Sequence, residues 1–285
     1  MNKTKGIFLI ARNNSQVDYV KQAVFLAKRI RKYMDLPTSI LTDGVDYLKE
    51  NYDERVFDRI IPLDYSPARN EKLYFDGALY QKSATFNNRS RCQVYDLTPY
   101  DETLLLDTDY IISNNMLASC FNLNDDFLIY KDSIDIAQVR NEQEFKFISD
   151  TGVPFYWATC VFFRKTKVNK IYFDLLQHIE EEWQHYRRVY QITSPLFRND
   201  FAFSIGIHIM NGFCQGGFAK QLPGKMMYTT DQDILWDLDE EKMTFLVEKK
   251  DYKGEYTALR TNGQNIHVMN KFSLGRIIDK VSENE

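Results

Sequence analysis

Thr103-Leu104-Leu105-Leu106-Asp107-Thr108-Asp109 joins a short apolar run to a pair of acids. The uninterrupted apolar run indicates a strand that is buried on both faces, as in a parallel sheet. Asp107 and Asp109 follow it directly, where the carboxyl end of such a strand opens into a ligand crevice. In extended chain, residues two positions apart point the same way, so the two carboxylates can converge. The segment therefore predicts a ligand site at the end of a buried strand.

The Asp-x-Asp spacing alone is weak evidence, because the chain contains it three times, at 107–109, 231–233 and 237–239. Only the first triplet directly follows an apolar strand. The other two lie in polar sequence, and we interpret them as carboxylates of loops. The alternative for the first triplet is a turn at the strand end in which aspartates cap the backbone.

The N-terminal part of the chain alternates short apolar runs with a helical pattern. A capping-box-like start at 15–18 precedes apolar residues at helical spacing up to Met34, and Pro37 ends this helix. Strands are predicted at residues 7–11, 39–42 and 59–63. Strands that alternate with helices predict an α/β fold with a Rossmann-like, mostly parallel central sheet flanked by helices.

The rest of the chain has a less regular pattern. Residues 64–98 are predicted to form loop and helix carrying Lys72, Lys82 and Arg91, and Tyr110-Ile111-Ile112 to continue the strand that ends at Leu106. Further elements are expected as strands at 127–130 and 157–164, helices at 168–190, 200–210 and 274–281, and loops with short strands at 222–260. On the long helix, the residues expected on one side are Ile171, Leu175, Ile179 and Trp183.

Length and composition limit the fold and the class of function. The 285 residues, 44% of them apolar and 27% charged, suffice for one large α/β domain. We expect a single domain over 1–285, with a nucleotide-binding half at 1–120 and a more irregular acceptor half at 121–285. A net charge of −4 provides no general electrostatic footprint for nucleic acid.

Cysteine usage and hydropathy indicate the compartment. The four cysteines are scattered without a CxxC pair, which argues against a disulfide framework or a zinc site and favours free thiols in a reducing cytoplasm. No apolar stretch approaches the length that spans a bilayer, so we expect a cytoplasmic protein without a membrane partner. The sequence leaves the oligomeric state open.

Paired acids of this kind suit the chemistry of a nucleotide-sugar donor. Breaking the glycosidic bond of such a donor releases a diphosphate, whose charge a hard divalent cation can neutralise while oxygen ligands hold it. Near the C-terminus, His267 could add a nitrogen ligand to manganese, and Lys271 could meet phosphate oxygens. The alternative for His267 is a structural role.

The segment Tyr95–Asp109 resembles the stretch that enters the DxD motif of GT-A glycosyltransferases, and His267-x-x-x-Lys271 is similar to the histidine and lysine of the glycogenin-like family 8 enzymes. The resemblance covers the first 120 residues and then isolated islands to about residue 275. It implies a GT-A fold and a Mn²⁺ or Mg²⁺ ion on Asp107, Asp109 and His267. It also implies that Lys271 binds the donor diphosphate.

The resemblance extends to further donor contacts. Arg12 and Asn13 after the first strand and Asp43 after the second would bind the nucleoside, unless all three are turn residues. Lys82 resembles a lysine that contacts the diphosphate, the alternative being a solvated helix lysine. Thr108, between the two acids, is a further expected donor contact.

Two segments correspond to the part of the family's site that surrounds the reacting sugar. Trp157-Ala158-Thr159-Cys160 matches a segment that lines the donor sugar, but Thr159-Cys160 replaces a small glycine, which leaves the identity of the sugar in doubt. Asp200 lies where the family has Asp-Gln near the reacting centre, although Phe201 replaces the glutamine. It could bind hydroxyls or act as a base, or it could cap a helix.

The expected function is therefore metal-dependent transfer of a hexose or pentose from a nucleoside diphosphate sugar, UDP-sugar by resemblance, with retention of configuration. The acceptor stays open between a glycan, a protein and a modified DNA base. The Asn-, Lys- and Tyr-rich composition resembles phage-encoded proteins, some of which glycosylate DNA bases. A basic face for DNA would comprise Lys165, Lys167, Lys170, Arg187 and Arg188, and the alternative is two solvated helix faces.

Two other classes of function compete with sugar transfer. Nucleotidyltransferases also use paired acids on an α/β sheet, but they usually carry a glycine-rich phosphate loop after the first strand. This chain has Ala11-Arg12-Asn13-Asn14 there, without a glycine. A non-catalytic binding protein on the same fold is the other alternative, and the presence of both acids together with His267 argues against it.

Overall fold

The structure is a computed structural model that describes residues 3–64, 70–86, 89–138 and 145–283. Its strands are β1 Lys5–Ala11, β2 Thr38–Thr42, β3 Arg59–Pro62, β4 Asn70–Asp76, β5 Tyr80–Phe86, β6 Glu102–Leu106, β7 Tyr110–Ile111, β8 Phe127–Tyr130, β9 Ser133–Asp135, β10 Phe147–Ile148, β11 Val153–Pro154, β12 Trp157–Arg164, β13 Lys220–Gln221, β14 Met226–Thr229, β15 Ile234–Asp239, β16 Lys242–Glu248, β17 Tyr256–Asn262 and β18 Ile266–Val268.

The helices alternate with these strands along the chain. They are α1 Tyr19–Met34, α2 Val45–Asn51, α3 Val94–Leu97, α4 Lys167–Glu181, α5 Trp183–Val189, α6 Asn199–Met210 and α7 Lys271–Ser282. Short 3-10 turns lie at Glu54–Val56, Arg89–Gln93, Met116–Asn122 and Ser149–Thr151. None of the helices in the described ranges combines the length and apolarity needed to cross a membrane. The four cysteines are free, as expected.

The central sheet has seven strands in the order β13-β8-β12-β6-β1-β2-β3. The pairs β1–β2, β1–β6, β2–β3 and β8–β13 are parallel, and β12 runs antiparallel to both of its neighbours. The predicted α/β class with a mostly parallel central sheet flanked by helices is therefore confirmed. Because the chain proceeds from β1 to β2 and β3 on one side and later to β6 on the other, a ligand crevice opens between the carboxyl ends of β1 and β6.

The leucines of β6 are buried on both faces of this sheet, as the apolar run predicts. Leu104 and Leu106 belong to the core that contains α1, whereas Leu105 faces the core on the opposite side, with Val161 of β12. Helix α1 begins after Asp18, whose side chain accepts a hydrogen bond from the Lys21 backbone N–H at 2.9 Å. The N-cap is thus the last residue of the predicted capping segment, and α1 begins one turn later than a box opened by Ser15 would place it.

The prediction of loop and helix for residues 64–98 was wrong over much of its length. Strands β4 and β5 form an antiparallel hairpin, and only Val94–Leu97 is α-helical. Residues 65–69 and 87–88 of this range lie outside the described residues. The signal for the hairpin is Asp76-Gly77, because the turn requires the positive φ of 74° that glycine adopts readily.

The long helix predicted over 168–190 is two helices, α4 and α5, which meet at Glu182. Ile179 and Trp183 are buried as expected, but Ile171 is 60% exposed. On α4 the sheet-facing side instead presents Tyr172, Phe173 and Leu176. The predicted apolar stripe was therefore displaced by one position in the first two turns.

A second region of strands follows the central sheet in the C-terminal half. A four-stranded sheet has the order β7-β18-β14-β9, and β15, β16 and β17 form a regular antiparallel sheet. Tyr110 and Ile111 therefore leave the central sheet instead of continuing β6. Asp237 and Asp239 lie on β15, so their interpretation as loop carboxylates was wrong, as was the prediction of mainly loop structure for 222–260.

Candidate active site

A cavity of about 620 Å³ lies at the carboxyl end of the central sheet, where β1 and β6 diverge. This volume suits a small organic ligand. The cavity brings together every residue predicted for the site except Lys82, namely Arg12, Asn13, Asp43, Asp107, Thr108, Asp109, Thr159, Asp200, His267 and Lys271. The cavity thus brings together residues as distant in sequence as Arg12 and Lys271, which are 259 positions apart.

Two carboxylates and one imidazole form a compact ligand set within this cavity. One ligand atom each from Asp107, Asp109 and His267 lie within 4.8 Å of one another. The turn after β6 presents the two acids, and β18 pairs with β7 so that His267 lies opposite Tyr110. The Val268 backbone N–H also donates to the Asp109 carbonyl at 2.8 Å. Backbone pairing between distant segments therefore builds this set.

Asp109 is the buried carboxylate of the set. Burial opposes its charge, but electrostatic interactions and hydrogen bonds with His267 and Lys271 outweigh burial and hold the pKa of Asp109 well below its ordinary value. Oδ2 of Asp109 lies 3.1 Å from Nε2 of His267 and also contacts Nζ of Lys271. Asp109 therefore presents an ionised carboxylate to the cavity.

The residues present fit a divalent cation. Nδ1 of the buried His267 has no hydrogen-bond partner among the described residues, and the ring also stacks on Tyr110 at 4.9 Å between centroids. Two ionised oxygen donors beside one imidazole match the preferences of Mn²⁺ and, with waters completing its shell, of Mg²⁺. Asp107 remains partly exposed toward the cavity, which leaves room for further ligands.

Arg91 is a site residue that was not singled out from the sequence. It is buried, and its guanidinium contacts both the Asp107 carboxylate and the Ala158 carbonyl. It therefore joins the turn after β6 to the start of β12. Nothing in the sequence distinguishes Arg91 from the other cations between residues 64 and 98.

One end of the cavity contains the residues expected to bind the nucleoside. Arg12 and Asp43 form an ion pair at 2.9 Å after β1 and β2. Asn13 Oδ1 accepts a hydrogen bond from the Val20 backbone N–H at 2.9 Å, so this residue also stabilises the turn into α1. Asn13 therefore stabilises a turn, as one interpretation expected, and it also lines the cavity, as the other expected.

Asp200 lies beside the start of β12, which borders β6 on the side away from β1. Its Oδ1 accepts a hydrogen bond from the Ala158 backbone N–H at 3.0 Å, and Oδ2 pairs with Arg198 at 3.2 Å. Arg198, not Asp200, occupies the N-cap of α6, so the capping interpretation of Asp200 was wrong. Thr159 hydrogen-bonds Tyr110 through its hydroxyl at 2.9 Å. Both predicted residues are therefore firmly positioned in the cavity wall.

The hairpin contributes Lys72 to the cavity instead of Lys82. Lys82 is exposed on β5, with its ammonium 5.6 Å from the Tyr80 ring. Lys72 lines the cavity. Asp231 also lines it, although the two carboxylates of the triplet 231–233 were interpreted as belonging to a loop. That triplet does lie in a turn, but burial raises the pKa of Asp231 because its carboxylate faces the cavity interior.

Three of the five basic residues considered for a DNA-binding face are engaged in local contacts, and the other two, Lys167 and Arg188, are exposed. Lys165 donates to the Thr98 carbonyl at 2.8 Å, and Lys170 pairs with Asp174 at 2.6 Å. Arg187 donates to the Thr193 carbonyl at 2.7 Å. These contacts favour the interpretation of solvated helix faces.

Comparisons with known proteins find similar structures but no similar sequences. No family model matches the chain, and no curated protein matches it. Solved structures that resemble it include the glycosyltransferase GlyE of Streptococcus pneumoniae TIGR4, at 12% identity and a TM-score of 0.41, over 72% of this chain and 43% of GlyE. The chain therefore spans less than half the length of GlyE.

Two structures of LgtC are also similar. An active-site mutant of LgtC aligns at 12% identity and a TM-score of 0.45, over 71% of this chain and 69% of that chain. The galactosyltransferase LgtC in complex with donor and acceptor sugar analogs aligns at 14% identity and a TM-score of 0.44, over 71% and 70%. Likeness at this level decides neither the family nor the activity of the chain.

Proposed function

We propose that this chain is a metal-dependent glycosyltransferase of GT-A architecture that transfers a sugar from a nucleoside diphosphate sugar to an acceptor. The observation that carries the proposal is the convergence of Asp107, Asp109 and His267 with Lys271 in one cavity at the switch point of the sheet. We further propose that residues 1–285 form one domain, in which the 1–120 half binds the nucleotide.

Asp107, Asp109 and His267 would hold Mn²⁺ or Mg²⁺. When bound, the ion supplies positive charge that stabilises the departing diphosphate. Lys271 is the first residue of α7, so its ammonium and the positive end of the helix dipole both favour an anion there. Arg91 orients Asp107 through their ion pair.

As part of this proposal, we assign the nucleoside to the cavity residues after β1 and β2, and the transferred sugar to the residues beside β12. Arg12, Asn13 and Asp43 would bind the nucleoside, for which we propose uridine by resemblance. Asp200, held by Ala158 and Arg198, would bind hydroxyls of the transferred sugar or of the acceptor. We propose retention of configuration on the same resemblance, with the acceptor a glycan, a protein or a modified DNA base.

The loop after β1 does not support nucleotidyl transfer. Instead of glycines whose backbone would cradle phosphates, it contains Asn14, whose Oδ1 accepts hydrogen bonds from the Gln16 and Val17 backbone N–H groups at 2.8 and 2.9 Å. These amides are therefore already occupied and are not available to a phosphate.

A screen of nucleotide sugars for hydrolysis tests the proposal without knowledge of the acceptor. We expect release of the nucleoside diphosphate from one or a few donors in the presence of Mn²⁺ or Mg²⁺, and no release in EDTA. Water replaces the acceptor in this reaction. Asp107→Asn should reduce the rate by about 100-fold or more, because it removes a charge that the diphosphate-neutralising ion requires. A release that is equally fast in EDTA would contradict the proposal.

A further inference from the structure

The charged side chains that line the cavity are paired, with two exceptions among the described residues. The pairs are Arg12–Asp43, Arg91–Asp107, Lys271–Asp109 and Arg198–Asp200. Lys72 and Asp231 line the same cavity, but neither has an ion pair or a hydrogen bond to another side chain within the described ranges. Their charged groups are therefore available to a ligand.

Two aromatic rings flank the Lys72 ammonium, and no carboxylate of the described residues forms an ion pair with it. Its Nζ is 5.5 Å from the centroid of the Tyr74 ring and 5.3 Å from that of Phe86. Burial and the neighbouring charge of Lys271 lower the pKa of Lys72 to about 8, although Asp231 acts in the opposite direction. Two lysines that face one cavity repel each other, and an anion placed between them removes this cost.

The hairpin that carries Lys72 is fastened to the helix that begins with Lys271. Asp76, at the end of β4, pairs with Arg276 of α7 at 2.6 Å and accepts a hydrogen bond from Asn270 at 3.4 Å. The Ala78 backbone N–H donates to the Tyr256 hydroxyl at 2.8 Å. The two lysines are thus presented by elements that hold each other in place, which lowers the entropic cost of binding an anion.

We propose that Lys72 is a second lysine for the diphosphate of the donor, and that it binds phosphate oxygens from the hairpin wall while Lys271 binds them from α7. The inference rests on the proposed function. An anionic group on the acceptor is the other source of the same chemistry. UDP and inorganic pyrophosphate contain no acceptor, so binding of these two probes separates the sources.

Calorimetric titration of the full chain with UDP and with pyrophosphate, each in the presence of Mg²⁺, tests the role of Lys72. We expect Lys72→Met to weaken both affinities by about 10- to 100-fold, the range of a charge-assisted hydrogen bond, and Lys72→Arg to retain part of them. Lys82→Met is the matched control, since it removes the same charge from the partner strand outside the cavity. It should bind as the wild type does.

The outcome that overturns the inference differs from the one that overturns the proposed function. If Lys72→Met is folded by circular dichroism and binds both probes within about twofold of the wild type, Lys72 does not bind the diphosphate. If Asp109→Asn leaves Mg²⁺-supported UDP binding unchanged, the proposed function itself fails. An equal loss in Lys72→Met and Lys82→Met would also overturn the inference, because it would show a general charge effect.

The pH dependence of UDP binding provides an independent readout of the Lys72 charge. The charged groups near this lysine are Lys271, Asp231, Arg198 and Asp109. Because the pKa of Lys72 is lowered to about 8, the free protein loses this ammonium as the pH rises past that value, whereas an ordinary lysine stays charged. The affinity ratio of wild type to Lys72→Met should therefore shrink between about pH 7 and pH 10. A ratio that grows with pH would contradict the role of the ammonium.

Discussion

Asp109→Asn is expected to abolish the metal-supported binding of UDP, with a loss of about 100-fold or more in affinity. The substitution is nearly isosteric but removes the buried anion that His267 and Lys271 both contact. Without it, the Lys271 ammonium loses its carboxylate partner, and the divalent ion would lose an oxygen ligand. Calorimetry with UDP, with and without Mn²⁺, measures the effect.

Asp237→Asn is the matched control for this experiment. Asp237 belongs to another Asp-x-Asp triplet but lies on β15, where it pairs with Lys280 at the surface. Its substitution should leave UDP binding as in the wild type, and chelation of the metal should reduce the wild type to the level of Asp109→Asn. Metal-supported binding by Asp109→Asn that equals the wild type would refute the assignment of the ligand set. Thermal unfolding of both variants separates loss of the ligand site from loss of the fold.

Leu176→Ala is expected to destabilise the protein by about 2–5 kcal/mol, the range for removing a leucine side chain from a packed core. Leu176 is fully buried on α4 and belongs to the core on one side of the central sheet. Leu176 packs closely against α6, since a Cβ built at Gly206 would lie only 3.0 Å from its Cδ2 atom.

Ile171→Ala on the same helix provides the contrast. Because Ile171 is 60% exposed, its truncation should change the free energy of unfolding by no more than about 0.5 kcal/mol. Urea denaturation monitored by circular dichroism compares the two midpoints under identical conditions. Equal destabilisation by both substitutions would show that the buried face of α4 has been assigned incorrectly.

Local sequence was sufficient to predict those elements whose apolar pattern indicates a single type of secondary structure. The run at Leu104-Leu105-Leu106 has no polar face, so it could only be a strand covered on both sides, and it occupies the middle of the central sheet. Helix α1, Tyr19–Met34, combines the cap at Asp18 with a sustained apolar period. In α4 the pattern was ambiguous, because Ile171 and Tyr172 are adjacent apolar residues and either could begin the buried stripe.

The residues of the candidate site also fall into two groups, those that local sequence could place and those that it could not. The residues that follow parallel strands, such as Arg12, Asp43 and Asp107, could be placed together from sequence, because the carboxyl ends of those strands meet at one edge of the sheet. The hairpin that excludes Lys82 was missed because Asp76-Gly77 was not recognised as a turn. The register pairs Lys72 with Ala84 and Lys82 with Tyr74, so both lysines lie on one face of the hairpin, and only their position relative to the rest of the fold distinguishes them.

Residues 103–109 by themselves specified a buried strand with two acids at its end, since local hydrophobic pattern and strand geometry depend only on neighbours in sequence. They did not specify which distant side chains would surround those acids. His267 reaches Asp109 through the pairing of β18 with β7, and Arg91 reaches Asp107 from a short turn. Lys72 enters through the hairpin. Such contacts depend on how separate elements pack and pair across the chain, and only the tertiary structure determines that.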